Sequence, residues 1–337
     1  GSPIMQPGTL KATKAIGWFI DEYGIAQVSM NMTNINVTPL HKAFDEVCRA
    51  AAERGVRVTG TEIVGLIPKR VLIEAGEYFL HKQQRSTGIP EEDIIKIAIH
   101  SMGLDDLKPF NPREKVIEYL LEDENKTAKL VDLTVSEFAN ETSRESPAPG
   151  GGTIAAYMGA LGAALGTMVA NLSAHKRGWD ERWEEFSQWA DRGQDIVRRA
   201  LHLVDEDTEA FNRIMDAFGL PKGTEEEKAA RSQAIQDATL YATKVPLETM
   251  KTAYAAFDIC RAMAQEGNPA SVSDAGVGAL AARSAVLGAW LNVRINAASL
   301  KDRATADAIL AEAKEMAENA QQQEKEILAI VDTKIEG

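Results

Sequence analysis

One carboxylate stands where an apolar residue is called for. A predicted helix from Trp183 to Phe218 carries an apolar stripe through Ile196, Ala200, Leu203, Val204, Phe211, Ile214, Met215 and Phe218, and the position between Val204 and Phe211 on that stripe is Asp207. Burying an isolated carboxylate costs several kcal/mol or raises its pKa. A residue so placed needs hydrogen-bond partners, a proton-transfer role, or both, so Asp207 is a candidate general acid/base. Asp205, turned roughly 200° around the same helix, is expected to face solvent. The plain alternative for Asp207 is a buried structural hydrogen bond.

Other candidates are positional. Ser146-Pro147-Ala148-Pro149-Gly150-Gly151-Gly152 runs into a helix, so the amides of Gly150, Gly151 and Gly152 could hold an anion or carbonyl at a positive dipole end. Without a phosphate-loop lysine, the segment could equally do no more than set the entry angle. Lys244 lies beside Pro246, which lacks an N–H and frees the carbonyl of Ala242. Such kinks line pockets, or the site is a bend beside a surface lysine. Gly267 to Asp274 reads as a loop leading into a helix, with Ser273 as its N-cap; Asn268 and Asp274 could bind a ligand or serve as caps. Asn292 and Asn296 lie one turn apart in line with Gly288, on an inward face where their amides need partners, either each other or a ligand.

The elements that must position these groups fall into two kinds. In the first part, Ile25 to Met30 alternates as a strand, Thr38 reads as the N-cap of a helix running from Pro39 to Gly55, Val56 to Thr59 reads as a short strand, and a helix spans Arg70 to Gln83. After Asp123 to Thr127, a polar stretch without apolar periodicity, strand patterns cease. Thr134 with Glu137 and Thr224 with Glu227 have the capping-box form. From Gly152, small residues Ala155, Gly159, Gly162, Ala163, Gly166 and Ala170 recur at three- and four-residue spacing, giving a helix that another backbone can approach closely. Long helices follow over 183–218, 225–265 and 274–299, then an amphipathic one to the end. The expected architecture is multi-domain, α/β plus all-α: residues 1–122 an α/β domain, 123–130 a linker, 131–337 a helical bundle.

The chain has 337 residues, enough for two cores. A net charge of −13 argues against nucleic acid, whose phosphates are bound by clustered Lys and Arg. Cys48 and Cys260 lie in no metal-ligand or disulfide spacing, so no metal is expected and a reducing cytoplasm fits. Ser146 to Ala174 is long enough to span a bilayer, yet it is built of Gly and Ala, so no membrane span is expected. Gly1-Ser2 reads as a cut edge, with the natural start expected to be missing.

Taken together, Ser146 to Gly152, Val204-Asp-Glu-Asp-Thr-Glu-Ala-Phe211, Gly267 to Asp274 and Asn292-Val-Arg-Ile-Asn296 resemble the formiminotetrahydrofolate cyclodeaminase/methenyltetrahydrofolate cyclohydrolase family, from about Val131 to the C-terminus. Ala15 to Glu22, Ala26 to Asn31, Gly65 to Pro68 and Leu104 to Phe110 resemble the C-terminal subdomain of glutamate formiminotransferase. The resemblance implies an order found in bifunctional enzymes of histidine breakdown and one-carbon metabolism, with a catalytic aspartate at Asp207. It implies a tetrahydrofolate derivative, expected to be polyglutamylated, as substrate, no prosthetic group, and homodimers or larger assemblies. Gly150, Gly151, Gly152, Lys244, Asn268, Asp274, Asn292 and Asn296 would then hold substrate or tune Asp207. The transferase part lacks the family's preceding subdomain with its catalytic histidine. None of the five histidines takes that role, and no formimino transfer is expected from this fragment.

Overall fold

The computed structural model describes residues 7–124, 129–146 and 148–336; part of the expected linker, the Gly1-Ser2 edge and Pro147 lie outside the described residues. The chain divides into two compact units, Gly1–Lys126 and Thr127–Gly337.

In the first unit, β1 (Thr13–Ile20) and β2 (Ile25–Met32) form an antiparallel hairpin closed at Ile20 and Ile25, with Gly24 in the left-handed turn position. It is the only sheet among the described residues. The expected mixture of α and β stands, and the strand pair described is antiparallel. The helices are α1 (Leu40–Ala52), α2 (Lys69–Lys82), α3 (Glu91–Met102), α4 (Pro112–Lys115) and α5 (Ile117–Glu124). The core lies chiefly between α2 and α3, where Leu72, Ala75, Ala98 and Met102 are fully buried, with Val116 beneath them. Two local expectations fail. Val56 to Thr59 forms no strand, because no neighbouring strand offers it a ladder, and Val56 is exposed. Thr38 does not cap α1; its hydroxyl donates to the Lys11 carbonyl at 2.5 Å, and Pro39 holds the cap position.

The second unit is all helical: α6 (Val135–Thr142), α7 (Gly151–Ala174), α8 (Trp183–Gly219), α9 (Glu225–Glu266), α10 (Val272–Ala297) and α11 (Arg303–Glu336). Both capping boxes form, with Thr134 and Thr224 accepting from the amides of Glu137 and Glu227. Helix α7 is central and packs against α8, α9 and α10. Its small residues are consumed by these internal contacts. A Cβ at Gly162 would lie 2.9 Å from the Gly278 carbonyl of α10, so only hydrogen at both positions permits this approach. Helices α7 and α10 are long and apolar enough to cross a membrane by length and composition, yet α7 is largely enclosed by its neighbours, as the core helix of a bundle would be. Helix α10 begins at Val272, so Ser273 lies inside it and is not its N-cap.

Candidate active site

Helix α8 brings Asp207 to the N-terminus of α7. A Cβ on Gly152 would collide first with Asp207 Oδ1 and lie only 2.7 Å from its Cγ and 2.8 Å from its Oδ2, which means that the carboxylate lies against the bare backbone of the first turn, Oδ1 nearest. The Thr153 hydroxyl donates to Asp207 Oδ2 at 2.9 Å, and the Thr153 amide also acts on the carboxylate. Around this contact pack the buried Ala156, Leu203, Val204, Ala210, Ala242 and Val245, with the rings of Phe138, Tyr157 and Tyr241 at the edge. Burial raises the Asp207 pKa above the usual carboxylate value; the two Thr153 hydrogen bonds oppose this and do not overcome it. The arrangement can hold a proton at neutral pH more readily than an exposed aspartate and give it up to a base.

At the expected anion site of Gly150 to Gly152, the structure places the Asp207 carboxylate against Gly152, with Thr153 as its donor. Gly150 donates its amide to the Thr153 hydroxyl at 3.2 Å. Gly151 is exposed and faces Asn292, whose Nδ2 would lie 3.6 Å from a Cβ there. Asn292 donates to the Gly288 carbonyl at 3.0 Å and so stands close beside the same helix start.

The other candidates separate. Asn296 donates at 2.7 Å to the carbonyl of Ala242, the acceptor that Pro246 leaves without its helical partner. One of its N–H groups thus repairs α9. Lys244 is exposed, and among the described residues no bond or ion pair joins it to Asp207. Asn268 caps the turn Pro269–Ser271 by accepting from the Ala270 amide, and its own amide donates to Ser173 Oγ at 2.8 Å. Ser173 lies 21 residues along α7 from Gly152, roughly 32 Å at 1.5 Å per residue. Asp274, in the first turn of α10, is likewise 18 residues and roughly 27 Å from Asn292. Neither Asn268 nor Asp274 meets Asp207 within one chain.

Asp205 does not face solvent. It is half-buried and accepts from the Leu130 amide at 2.8 Å, because the short helix Leu130–Asp132 covers that side of α8. Helical angle places a side chain relative to its own helix and says nothing of what a distant segment lays over it. Sequence reasoning also missed Thr153. The signal was available: a hydroxyl at the third position of a helix has no helical carbonyl four residues back to bond. Among the described residues no cluster of three or more His, Cys, Asp or Glu side chains is placed to hold a metal ion.

Fold and site define a helical-bundle domain with a half-buried carboxylate at the start of its central helix, preceded by a small α+β unit. Residues 134–315 match the formiminotransferase-cyclodeaminase family, and residues 1–122 match the formiminotransferase domain. The chain belongs to the formiminotransferase-cyclodeaminase family. It is 37% identical over 297 residues to the formimidoyltransferase-cyclodeaminase of Gallus gallus, an alignment covering 88% of this chain and 55% of that protein. The chain thus spans little more than half the length of the curated bifunctional relatives. It is 40% identical over 179 residues to the methenyltetrahydrofolate cyclohydrolase of Methylorubrum extorquens, covering 53% of this chain and 86% of that one. The crystal structure of formiminotetrahydrofolate cyclodeaminase from Thermotoga maritima superposes with a TM-score of 0.55 at 23% identity, over 61% of this chain and all of that one, and so shares its fold.

Proposed function

We propose that the helical unit is a formiminotetrahydrofolate cyclodeaminase, converting 5-formiminotetrahydrofolate to 5,10-methenyltetrahydrofolate and ammonia. The observation that carries this reading is the Asp207 carboxylate, half-buried against the first turn of α7 and bonded by Thr153. Starting from the amidinium form of the formimino group, N10 attacks the carbon as Asp207 takes the N10 proton. The new C–N bond closes the five-membered ring and leaves an amino group on a tetrahedral carbon. Asp207 then returns its proton to that amino nitrogen, the C–N bond breaks, and ammonia departs. One carboxylate with a raised pKa serves as base and then as acid. Asn292 and the exposed face of Gly151 are the nearest groups to contact the folate. The polyglutamylated form is the substrate we expect, acting in the cytoplasm, in keeping with two free cysteines.

The test is to supply the chain with 5-formiminotetrahydrofolate and follow methenyl absorbance and ammonia together. Equal rates of both support the reading; no ammonia above the uncatalysed rate contradicts it. A second reading, hydrolytic opening of the methenyl bridge, is favoured by the identity to the cyclohydrolase. It gives loss of methenyl absorbance from 5,10-methenyltetrahydrofolate with no ammonia at all.

A further inference from the structure

We infer that Thr153 is a positioning residue for the proton transfers at Asp207, holding the carboxylate in one orientation against the start of α7. The inference rests on the reading of Asp207 as the acid/base. It starts from how this unit uses its helical hydroxyls. Thr167, Ser173, Thr239, Thr243 and Thr249 each donate to the carbonyl four residues back, at 2.6 to 3.2 Å. Thr153 has no such helical carbonyl, since the residue four back is Pro149, ahead of the helix. Its hydroxyl instead accepts from the Gly150 amide at 3.2 Å and donates across to Asp207 Oδ2 at 2.9 Å.

The direction of these two bonds is forced. The Gly150 amide can only donate and an ionised carboxylate can only accept, so with Asp207 ionised the one hydroxyl proton points at it. Thr153 is fully buried, so water does not compete for that proton. Gly152 supplies the other wall, because any side chain there would displace the carboxylate. With Oδ2 held by the hydroxyl and Oδ1 lying closest to the bare Gly152 backbone, the orientation of the whole carboxylate is fixed at the start of α7. The bond strengthens as Asp207 ionises and weakens as it takes the proton, so Thr153 sets the carboxyl's basicity as well as its aim.

The test compares wild type, Thr153→Val, which keeps the shape and removes the hydroxyl, and Thr153→Ser, which restores it. The first readout is the titration of the Asp207 carboxyl carbon by NMR in the unliganded full chain. It is expected to move up by roughly half to one pH unit in Thr153→Val and to return in Thr153→Ser, the change that loss of one donor to a carboxylate produces. The second is the acid limb of kcat/KM for ammonia release, expected to shift by the same amount with folate affinity retained. An unmoved titration in folded Thr153→Val overturns the inference even where Asp207→Asn is inactive. A moved titration with an active Asp207→Asn leaves the coupling standing and overturns the catalytic reading instead. Should Thr153→Val not fold, the wild-type Thr153 hydroxyl proton decides: its chemical shift follows the Asp207 titration midpoint if the bond exists, and a pH-independent shift contradicts it.

Discussion

Asp207 receives opposing instructions from its surroundings. Burial favours the neutral acid, while the Thr153 hydroxyl and amide favour the carboxylate, and burial prevails. The folded-state pKa therefore lies above the ordinary 3.8. Stability from keeping this group neutral is complete below 3.8 and is lost as pH rises through the raised value. Asp207→Asn keeps an acceptor for Thr153 and carries no charge, so its melting temperature is expected to exceed wild type at pH 7 and to converge with it in acid. A less stable Asp207→Asn at pH 7 would show that the Thr153 bonds outweigh burial. The neighbouring glycines give a second test. Gly152→Ala places a methyl inside the Asp207 carboxylate and is expected to cost about 1–3 kcal/mol and most of the activity. At Gly151 the added methyl meets only ordinary contact with Asn292, so Gly151→Ala is expected to leave both nearly unchanged. Chemical denaturation and turnover of the pair check this.

At the scale of elements, the helices around the site were legible because their signals are local: the stripe of α8, the capping boxes, the small-residue face of α7. What closes over them was not. Asp205 was turned from solvent by the segment at Leu130, 75 residues away, which no periodicity reports. Asn296 illustrates the same limit from the other side. Pro246 announces a free carbonyl at Ala242, and an inward amide announces a need for partners, but only the packing of α10 on α9 joins the two. That bond gives Asn296 a structural role. Asn296→Leu leaves the Ala242 carbonyl unpaired and is expected to cost about 1–3 kcal/mol with kcat unchanged. Pro246→Ala restores a helical donor to that carbonyl, so combining the two should recover much of the loss. A double-mutant cycle by denaturant unfolding measures the coupling; strict additivity would show that the two residues act independently.

At the scale of the molecule, the small residues of α7 leave no bare face for a partner, since α8, α9 and α10 fill it. The large apolar residues exposed on these helices are Leu161, Met168 and Leu172 on α7, and Val277, Leu280, Leu291 and Ile295 on α10. Self-association of the helical unit, proposed from family resemblance, is expected to use this surface rather than the glycine face. Light scattering at micromolar concentration should give a dimer or larger for wild type and a smaller species for Leu291→Glu; a wild-type monomer contradicts the expectation. The account as a whole turns on whether the Asp207 carboxylate moves the protons. Steady-state ammonia release from 5-formiminotetrahydrofolate, measured side by side for wild type, Asp207→Asn and Asp205→Asn, tests that most directly. Asp205→Asn keeps an acceptor for the Leu130 amide and should run near the wild-type rate. Asp207→Asn should fall about 10²–10⁴-fold, the contribution of a positioned acid/base, with folate binding largely intact. Near-normal ammonia release from folded Asp207→Asn would contradict the account.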